Sequence, residues 1–599
     1  IVKRKFLTMK NIVSKLLFTG LVCACFASCS TDSIEEMGGK KVVDYNSMTC
    51  FSDEGPATRT AGKYVAQSST EPAHVAFLWT QGDKIWVNTT GGTTFEKNDK
   101  DDISGQVAAS NFYFTKNLTA ESYKVRYTGT VSDKADEVVF AAKQEQTAPN
   151  AADLIGQYGD CGIATATKNA NQQYSFNLAH KAGYLVLTPY SSVHKFASSV
   201  GVRAVYVTAN EGLTGTYTMA ADGKLTKKTE EGKQIVWYYQ QDVAGHDNID
   251  EEDGKPCLPI PAASDASKNG IIIVLPPGEY TNLSIEYLLV DPLSGGKGYY
   301  KKSYKGTVKV EAGKPHYIAE NIKLYEYDKN QYYTWDAASG EYFWKGHEAR
   351  QPILPGDVID FPGDLNLYRE DGFPDPIGTT DARSYNHSQG HTATVDGNKA
   401  LKSAADAMNV NEALWLVKKG SPMWDKTKLY AITYPGNVCH LFNTGVWFKT
   451  LKKIAADEGK TLEALKAAAP NGTDYRVDPA APEVNVDITS FGRPDKANTN
   501  ADYMFLPCTG FYAFKHTEEA SGQLETPYKI AAPLIGATAM YWTSSATAHS
   551  SEGAYALSIF STAMLDEYTV SVINTTKYSG HPILFDNMGV NGPGKFRIK

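Results

Sequence analysis

The chain has 599 residues, of which 42% are hydrophobic and 21% charged, and its formal net charge is −8. Because a domain usually takes about 100 to 200 residues, this length predicts several domains. The acidic balance argues against a nucleic-acid partner, which requires a positively charged face, and no Lys/Arg cluster suggests binding to anionic lipid.

The N-terminal residues have the layout of a secretory signal peptide. Met9 begins a short positively charged stretch, and an apolar run follows from Leu16 to Cys29. We expect Met9 to be the true start, with residues 1–8 upstream of it. The run is shorter than the roughly 20 residues of a spanning helix, so it predicts export and not a transmembrane anchor. The expected signal peptide covers residues 1–29.

The end of this run, Phe26–Cys29, resembles a bacterial lipobox. In that motif, small residues precede a cysteine whose thiol carries diacylglycerol, although Phe26 stands where leucine is usual. The resemblance implies that lipid on Cys29 attaches the protein to the outer membrane, exposed at the cell surface. The alternative is an ordinary secretory signal that ends at Ser28.

The remaining cysteines do not form a pattern. Their number is odd and their spacing is irregular, so we expect mostly unpaired thiols, without a disulfide framework or a Cys-x-x-Cys zinc or redox motif. These residues are Cys50, Cys161, Cys257, Cys439 and Cys508.

Short strands dominate the first half of the chain. Residues 30–60 are polar and are interpreted as a linker or a removable leader. Short runs rich in aromatic and β-branched residues follow, among them Asn111–Phe114 and Ile271–Leu275. Many short strands without a long helical period predict a mainly β protein with stacked antiparallel sandwiches. Typical domain sizes place these sandwiches at residues 61–183 and 184–325.

The character of the sequence changes at about residue 326. Tryptophan becomes frequent, and two stretches have helical character: the Ala-rich Leu401–Met408, and Trp447–Ala469 with apolar residues at helical spacing. Pro470 follows the second stretch and would end a helix. Residues 326–599 are therefore predicted to form a third domain of α+β type.

Four patches in the first 325 residues together resemble the fimbrillin family of bacterial surface lipoproteins. The patches are Phe77–Ile85, Gly162–Thr167 with Phe176–Lys181, Pro276–Tyr280 and Glu311–Tyr317. The resemblance implies two transthyretin-like Greek-key β-sandwich domains. It also implies assembly with other pilus subunits by strand exchange, after a leader is cut following an arginine.

Arg59 is the residue that matches such a cut, in the sequence Thr58-Arg59-Thr60. Removal of the preceding segment would expose a groove for the strand of a neighbouring subunit. The alternative, that Arg59 is only a solvated charge in a linker, remains open.

The C-terminal region resembles a lectin-like family that includes sulfatase-modifying-factor folds and the distal domains of some fimbrial tip proteins. The resemblance is carried by Asn411–Trp415, Pro422–Asp425, Tyr503–Pro507, and Tyr541–Ser545 followed by Ala554–Leu557. Trp424, Asp425 and Trp542 are the candidates for a ligand site. The alternative for the two tryptophans is that they are core or loop-anchoring aromatics.

The sequence lacks a catalytic constellation. Sulfatase-modifying chemistry needs neighbouring thiols, whereas Cys439 and Cys508 share no motif and are interpreted as buried small hydrophobes. His387 and His391 lie in a predicted loop without the glutamate of a metalloprotease, so no metal site is expected. No nucleotide or cofactor motif is present, and the chain is predicted not to be an enzyme.

The resulting hypothesis is a lipid-anchored pilus subunit of the tip or accessory type. Its C-terminal domain would bind a ligand on a host, bacterial or glycan surface. The alternative is a glycan-binding surface lipoprotein of a nutrient-uptake system, and a secreted hydrolase is a third possibility.

Overall fold

The computed structural model describes most of the chain after residue 44. The described residues are 45–53, 62–69, 71–91, 94–229, 232–240, 257–348, 351, 359–361, 380–434, 438–482, 484–494, 502–512, 514–518, 524–530, 536–562 and 567–585. Within them, no helix combines the length and the apolar character needed to cross a membrane. The predicted signal peptide and its Cys29 lie outside the described residues.

The chain divides into two units, Ile1–Ser47 and Met48–Lys599. The described part of the first unit is a 3-10 helix, Tyr45–Ser47. The second unit is built from many short strands, and the predicted mainly β fold class is confirmed.

The first sheet has nine strands, and one of them is Thr49–Asp53, here called the N-terminal strand. It lies inside the sheet, between Asn111–Phe114 and Tyr174–Phe176. Part of the segment 30–60, predicted as a linker or leader, is therefore folded into a sheet. The other strands are Trp86–Val87, Glu96–Lys97, Lys100–Asp101, Ser122–Tyr127, Gly162–Lys168 and Ala179–His180.

A three-stranded sheet contains two strands that are buried on both faces. It places Gly183–Leu187 between Ile271–Leu275 and Pro315–Ile318. Along Ile271–Leu275, even-numbered residues face the core of the first sheet and odd-numbered residues face a second core. Because side chains alternate across a strand, such a strand needs an apolar residue at every position. The boundary predicted after residue 183 thus falls within a strand that serves both cores.

A six-stranded sheet covers the second core. Its members come from both predicted sandwich regions, since Lys143–Gln146 pairs in parallel with Gln234–Tyr239. The remaining strands of this sheet are Gly201–Thr208, Leu258–Pro259, Ser284–Asp291 and Gly296–Ser303. Smaller sheets contain Lys63–Val65 with His74–Ala76, Glu137–Phe140 with Gly215–Met219 and Leu225–Lys227, and Gly278–Thr281 with Thr307–Val310. Short helices lie at Ile155–Tyr158 and Ala266–Asn269.

The described residues of the C-terminal region form four further sheets. Two four-stranded sheets and the helices enclose its main core. The first of these sheets has Met423–Asp425, Gly445–Lys449, Ser490–Phe491 and Tyr503–Pro507, and the second has Val484–Asp487, Ala539–Ala546, Gly553–Thr562 and Glu567–Thr576. The three-stranded sheets have Tyr325–Asp328, Tyr430–Tyr434 and Val438–Phe442, and Ile359–Phe361, Phe514–Glu518 and Leu524–Ile530.

The predicted helix Leu401–Met408 is wrong, because these residues form turns. The backbone N–H groups of Leu401, Lys402 and Ala404 donate to the carboxylate of Asp336 at 2.7, 2.7 and 3.2 Å. A buried side-chain acceptor from a distant part of the chain thus holds the turns, and local helix propensity does not decide the conformation.

An α-helix, Val410–Lys419, begins just after that segment. The side chain of Asn409 accepts from the backbone of Glu412, and the Glu412 side chain accepts from Asn409 N–H, which forms a capping box. The predicted helix Trp447–Ala469 is divided, because Trp447 lies in a strand and Thr450 and Thr461 each cap a separate short helix. Among the described residues of this region, the α-helices are Val410–Lys419, Leu451–Asp457 and Leu462–Ala467, and 3-10 turns lie at Lys329–Gln331 and Asp396–Asn398.

The C-terminal region contacts the six-stranded sheet through Val438–Phe442. The imidazole of His440 lies 2.8 Å from the carboxylate of Asp291, and Leu441 N–H and Ser199 Oγ donate to that carboxylate at 3.1 and 2.8 Å. Burial raises the pKa of Asp291, but the hydrogen bonds from His440 and Ser199 outweigh burial and leave the pKa below its usual value. One buried carboxylate therefore links the two parts.

We expect Gly296→Ala to weaken this contact. A Cβ at Gly296 would overlap the carbonyl group of Leu441, the same carbonyl that accepts from Ser294 Oγ at 2.5 Å. Overpacking of this kind should lower the free energy of unfolding by about 1–3 kcal/mol, measured by urea denaturation. Gly278→Ala is the control, because its Cβ would meet its nearest neighbour at 3.7 Å. Equal stability of both variants would contradict the expectation.

Candidate functional site

The N-terminal strand fills a deep position in the first core through Phe51. This side chain is fully buried. Its ring stacks on Tyr174 with centroids 4.8 Å apart, and it meets the edges of Phe114 and Tyr123 at 5.2 and 6.0 Å. Three aromatic rings from three other strands thus form a pocket for one residue of this short strand.

Asp53 is the second anchor of the N-terminal strand. Its side chain is 1% exposed, and its Oδ2 accepts the indole N–H of Trp79 at 2.7 Å. Trp79 is itself fully buried. A buried indole N–H without an acceptor is costly, so this position requires an acceptor on the strand.

Backbone pairing holds the N-terminal strand on both sides. It runs antiparallel to Asn111–Phe114, where Phe51 pairs with Phe112. It runs parallel to Tyr174–Phe176, where Phe51 pairs with Tyr174. Removal of the strand would expose a groove with unpaired N–H and C=O groups on both walls.

The position of Arg59 relative to this strand follows from the sequence. Arg59 lies outside the described residues, between the end of the N-terminal strand at Asp53 and the next strand, Lys63–Val65. A cut after Arg59 would therefore separate the N-terminal strand covalently from the rest of its sheet. Hydrogen bonds and side-chain packing alone would then hold it.

Asp53→Ala should leave the indole N–H of Trp79 without its acceptor. We expect a loss of about 1–3 kcal/mol in the free energy of unfolding, measured by urea denaturation followed by tryptophan fluorescence. Ser52→Ala, at a half-buried neighbour on the same strand, is the matched control and should change stability by less than about 0.5 kcal/mol. An equal effect of both substitutions would show that the Trp79 contact is not important.

The predicted ligand residues Trp424 and Asp425 are buried. Trp424 is 2% exposed and packs against Tyr568 with ring centroids 4.8 Å apart. Asp425 is fully buried, and it accepts from Trp447 Nε1 at 2.9 Å and from Arg493 Nε at 3.0 Å. The carboxylate thus already accepts hydrogen bonds from neighbours within the domain.

Trp542, the third predicted ligand residue, lies in a different cluster from Trp424. It is fully buried, and its indole N–H donates to the carbonyl oxygen of Tyr333 at 2.8 Å. Both tryptophans therefore have the geometry of core aromatics, and neither presents a ring face on which a sugar could stack.

Among the described residues, one group has three potential metal ligands: His194, Glu326 and Cys439, whose ligand atoms lie within 4.8 Å of one another. His194 Nδ1 is 3.0 Å from a Glu326 oxygen. Its Nε2 accepts the backbone N–H of Leu324 at 3.0 Å. The ring proton therefore lies on Nδ1, the atom that faces the other two side chains. A histidine that binds a metal usually donates a hydrogen bond from its other nitrogen. The other nitrogen of His194, Nε2, accepts one instead, so these three side chains form a hydrogen-bonded contact and not a metal site.

Two cysteines and two histidines of the C-terminal region lie in the surroundings that the sequence predicts. Cys439 and Cys508 are buried, as predicted, and both are free thiols. His387 and His391 are exposed in a segment of turns, which agrees with the predicted loop.

Comparison with known proteins gives similarities at the level of structure. No family model matches this chain, and no curated protein matches it significantly. A fimbrial protein from Bacteroides ovatus is 12% identical and covers 89% of this chain and 97% of its own, with a TM-score of 0.22. The fimbrial anchor protein Mfa2 from Porphyromonas gingivalis is 9% identical and covers 43% of this chain and 82% of its own, with a TM-score of 0.19.

A protein from Bacteroides uniformis, provisionally named a cell adhesion protein, is 13% identical and covers 46% of this chain and 94% of its own, with a TM-score of 0.25. These names agree with the resemblance to the fimbrillin family drawn from the sequence. Identities of 9 to 13% and TM-scores of 0.19 to 0.25 do not establish a function for this chain.

Proposed function

We propose that this chain is a subunit of a bacterial surface fimbria, in which the N-terminal strand is released after a cut at Arg59 and replaced by a strand of a neighbouring subunit. Lipid on Cys29 would hold the precursor at the outer membrane before the cut. The observation that carries the proposal is the internal position of Thr49–Asp53 in its sheet, directly before the segment that contains Arg59.

The emptied groove would bind a strand strongly. It would offer two rows of backbone groups to an incoming strand, and β-strand addition satisfies both. It would also offer the aromatic pocket left by Phe51 and the unpaired indole N–H of Trp79. A replacing strand would therefore carry a large apolar residue at the Phe51 position and a hydrogen-bond acceptor at the Asp53 position.

The energetic balance favours replacement over an open groove. Emptying a pocket of the size of a phenylalanine ring costs about 3–5 kcal/mol, and an unpaired buried N–H adds about 1–3 kcal/mol. A strand from another subunit recovers these contributions, so a cut chain should assemble and not remain as a monomer.

The C-terminal region suits a tip or accessory subunit that presents a binding surface. It is tied to the sandwich region by the contacts of Asp291 with His440 and Leu441. A ligand bound on a host, bacterial or glycan surface would therefore be held by a domain docked on the shaft-forming part. The alternative, a glycan-binding lipoprotein of nutrient uptake, would keep its N-terminal strand and remain monomeric.

The experiment compares the purified protein with its Arg59→Ala variant after limited digestion by an arginine-specific protease. We expect the parent protein to lose its N-terminal segment and to form high-mass species in size-exclusion chromatography. Arg59→Ala should stay monomeric under the same digestion, which controls for cuts at other arginines. An excess of a synthetic Thr49–Asp53 peptide should slow assembly.

Two results would count against the proposal. If the parent protein is cut after Arg59 and stays monomeric with an N-terminal strand that does not dissociate, the strand is a permanent part of the sheet. If both proteins form the same high-mass species, assembly does not depend on this cut.

A further inference from the structure

The first sheet carries a cavity on the face that points away from its core, beside the strand Ser122–Tyr127. The odd-numbered residues of this strand belong to the first core. Because side chains alternate along a strand, Lys124 and Arg126 lie on the opposite face, and both line a cavity of about 430 Å³, here called the sheet cavity. This volume falls within the range of about 300–1,000 Å³ that is typical of small-molecule sites.

Arg126 is a buried cation that forms no ion pair with any described carboxylate. It is 9% exposed, and its Nη1 donates to the carbonyl oxygen of Ala135 at 3.3 Å. Phe95 covers the guanidinium, with Cζ 4.2 Å from the ring centroid. Asp136 acts on Arg126 only through the longer-range attraction of its charge. Since a guanidinium has five N–H donors, most of those of Arg126 remain for an anion in the sheet cavity.

An anion bound there would offset a cost that the folded chain already bears. Burial lowers the pKa of Arg126, which shows that the surroundings disfavour its charge. An arginine side chain nevertheless stays protonated in proteins, so the charge persists in the sheet cavity. A buried charge without a partner destabilises a protein, and a bound carboxylate would provide that partner.

The walls of the sheet cavity combine positive charge with neutral polar groups. Lys124 adds a second cation, and its Nζ donates to Thr165 Oγ1 at 2.9 Å. Asn88 and Asn177 also line the sheet cavity, and their amides are suited to bind hydroxyl groups. None of the described residues that line it is Asp or Glu, although the whole chain has a net charge of −8. These walls favour a ligand that is negatively charged and rich in hydroxyl groups.

We propose that the sheet cavity binds a monosaccharide with a carboxylate group, of the uronic acid type. The guanidinium of Arg126 binds the carboxylate through two parallel N–H···O bonds, the geometry that its planar fork favours. Lys124 stabilises the same negative charge, and Asn88 and Asn177 bind ring hydroxyls. Phe95 orients the fork before the ligand arrives, so that little side-chain entropy is lost on binding.

This site is separate from the ligand surface proposed for the C-terminal region. It lies on the first sheet and does not depend on the cut at Arg59, so the uncut protein should bind the sugar acid. Failure of strand exchange would therefore leave this proposal standing, and failure of sugar binding would leave strand exchange standing.

The test titrates the purified, uncut full-length protein with D-glucuronate, D-glucose and inorganic phosphate by isothermal titration calorimetry. D-glucose has the sugar ring without the carboxylate, and phosphate has negative charge without the ring. We expect the Kd of D-glucuronate to be at least ~10-fold lower than that of either control, because a charged hydrogen-bonded group is recognised in addition to the ring. Absence of D-glucuronate binding, or binding of D-glucose or phosphate with equal affinity, would overturn the proposal.

Substitutions place the binding in the sheet cavity. Arg126→Gln should weaken D-glucuronate binding at least ~10-fold, and Lys124→Gln roughly threefold, because Lys124 is exposed. Lys100→Gln is the matched control: Lys100 is exposed on another strand of the same sheet and does not line the sheet cavity, so the affinity should change less than about twofold. An unchanged affinity of folded Arg126→Gln would overturn the proposal. If that variant does not fold, an affinity of Lys124→Gln equal to that of Lys100→Gln would overturn it instead.

Discussion

Phe51→Ala should lower the free energy of unfolding by about 3–5 kcal/mol, the cost of removing a buried aromatic ring and leaving a cavity. The ring is fully buried among Tyr174, Phe114 and Tyr123, which lie on paired strands and cannot collapse into the space. Urea denaturation of the uncut protein measures the change. Because the substitution removes the main anchor of the N-terminal strand, the strand should also dissociate faster after a cut at Arg59.

Phe560→Ala is the matched control for this substitution. Phe560 is 43% exposed, so its removal should change stability by less than about 0.5 kcal/mol. A loss for Phe51→Ala as small as that of the control would mean that the N-terminal strand is not integral to the core. It would then also remove the physical basis for strand exchange.

The second large effect is a loss of stability in acid through His581. This ring is fully buried, with its centroid 4.3 Å from that of Trp542, and among the described residues neither of its nitrogens has a hydrogen-bond partner. Burial lowers the pKa of His581 from 6.5 to about 3. The folded state therefore holds a neutral ring, whereas the unfolded chain binds a proton below pH 6.5.

This difference in proton binding determines how the free energy of unfolding changes with pH. The contribution of His581 is fully present above pH 6.5, and it is lost as the pH falls from 6.5 towards about 3. The slope is about 1.4 kcal/mol per pH unit, so the free energy of unfolding should fall by about 2 kcal/mol between pH 6.5 and pH 5.

His581→Leu removes the titrating group and should flatten this dependence. His549→Leu, at an exposed position, should leave the dependence of the parent protein unchanged. Urea denaturation at pH 7, 6 and 5 measures both. The same slope for His581→Leu and the parent protein would show that other groups cause the acid sensitivity.

Strands with a strong local pattern could be predicted from the sequence. Asn111–Phe114 and Ile271–Leu275 begin and end at the predicted residues. In the second case the reason is burial on both faces, which requires an apolar side chain at every position. Such a run is recognisable without knowing its partners.

The N-terminal strand could not be found in this way. Thr49–Asp53 has one aromatic residue, and its buried Asp53 looks like a solvated charge unless the indole of Trp79 is known to lie beside it. The wrong helix at Leu401–Met408 has a similar cause, since the carboxylate of Asp336 binds its backbone from a distant part of the chain. In both cases contacts with distant parts of the chain, and not a local pattern, decide the conformation.

Whether a tryptophan is exposed or buried also could not be predicted from the sequence. Trp424 and Trp542 occur in motifs that suggested a ligand site, but their surroundings bury both rings. Aromatic residues serve in cores and in binding sites alike, and only the packing of neighbours such as Tyr568 and His581 distinguishes the two uses.

The most direct test of the central proposal is N-terminal sequencing of this chain in material sheared from the cell surface and separated as high-mass species on a non-boiled gel. Replacement of the N-terminal strand predicts that the chain in these assemblies begins at Thr60 and lacks Thr49–Asp53. A chain that retains residues 30–59 within such assemblies would contradict strand replacement.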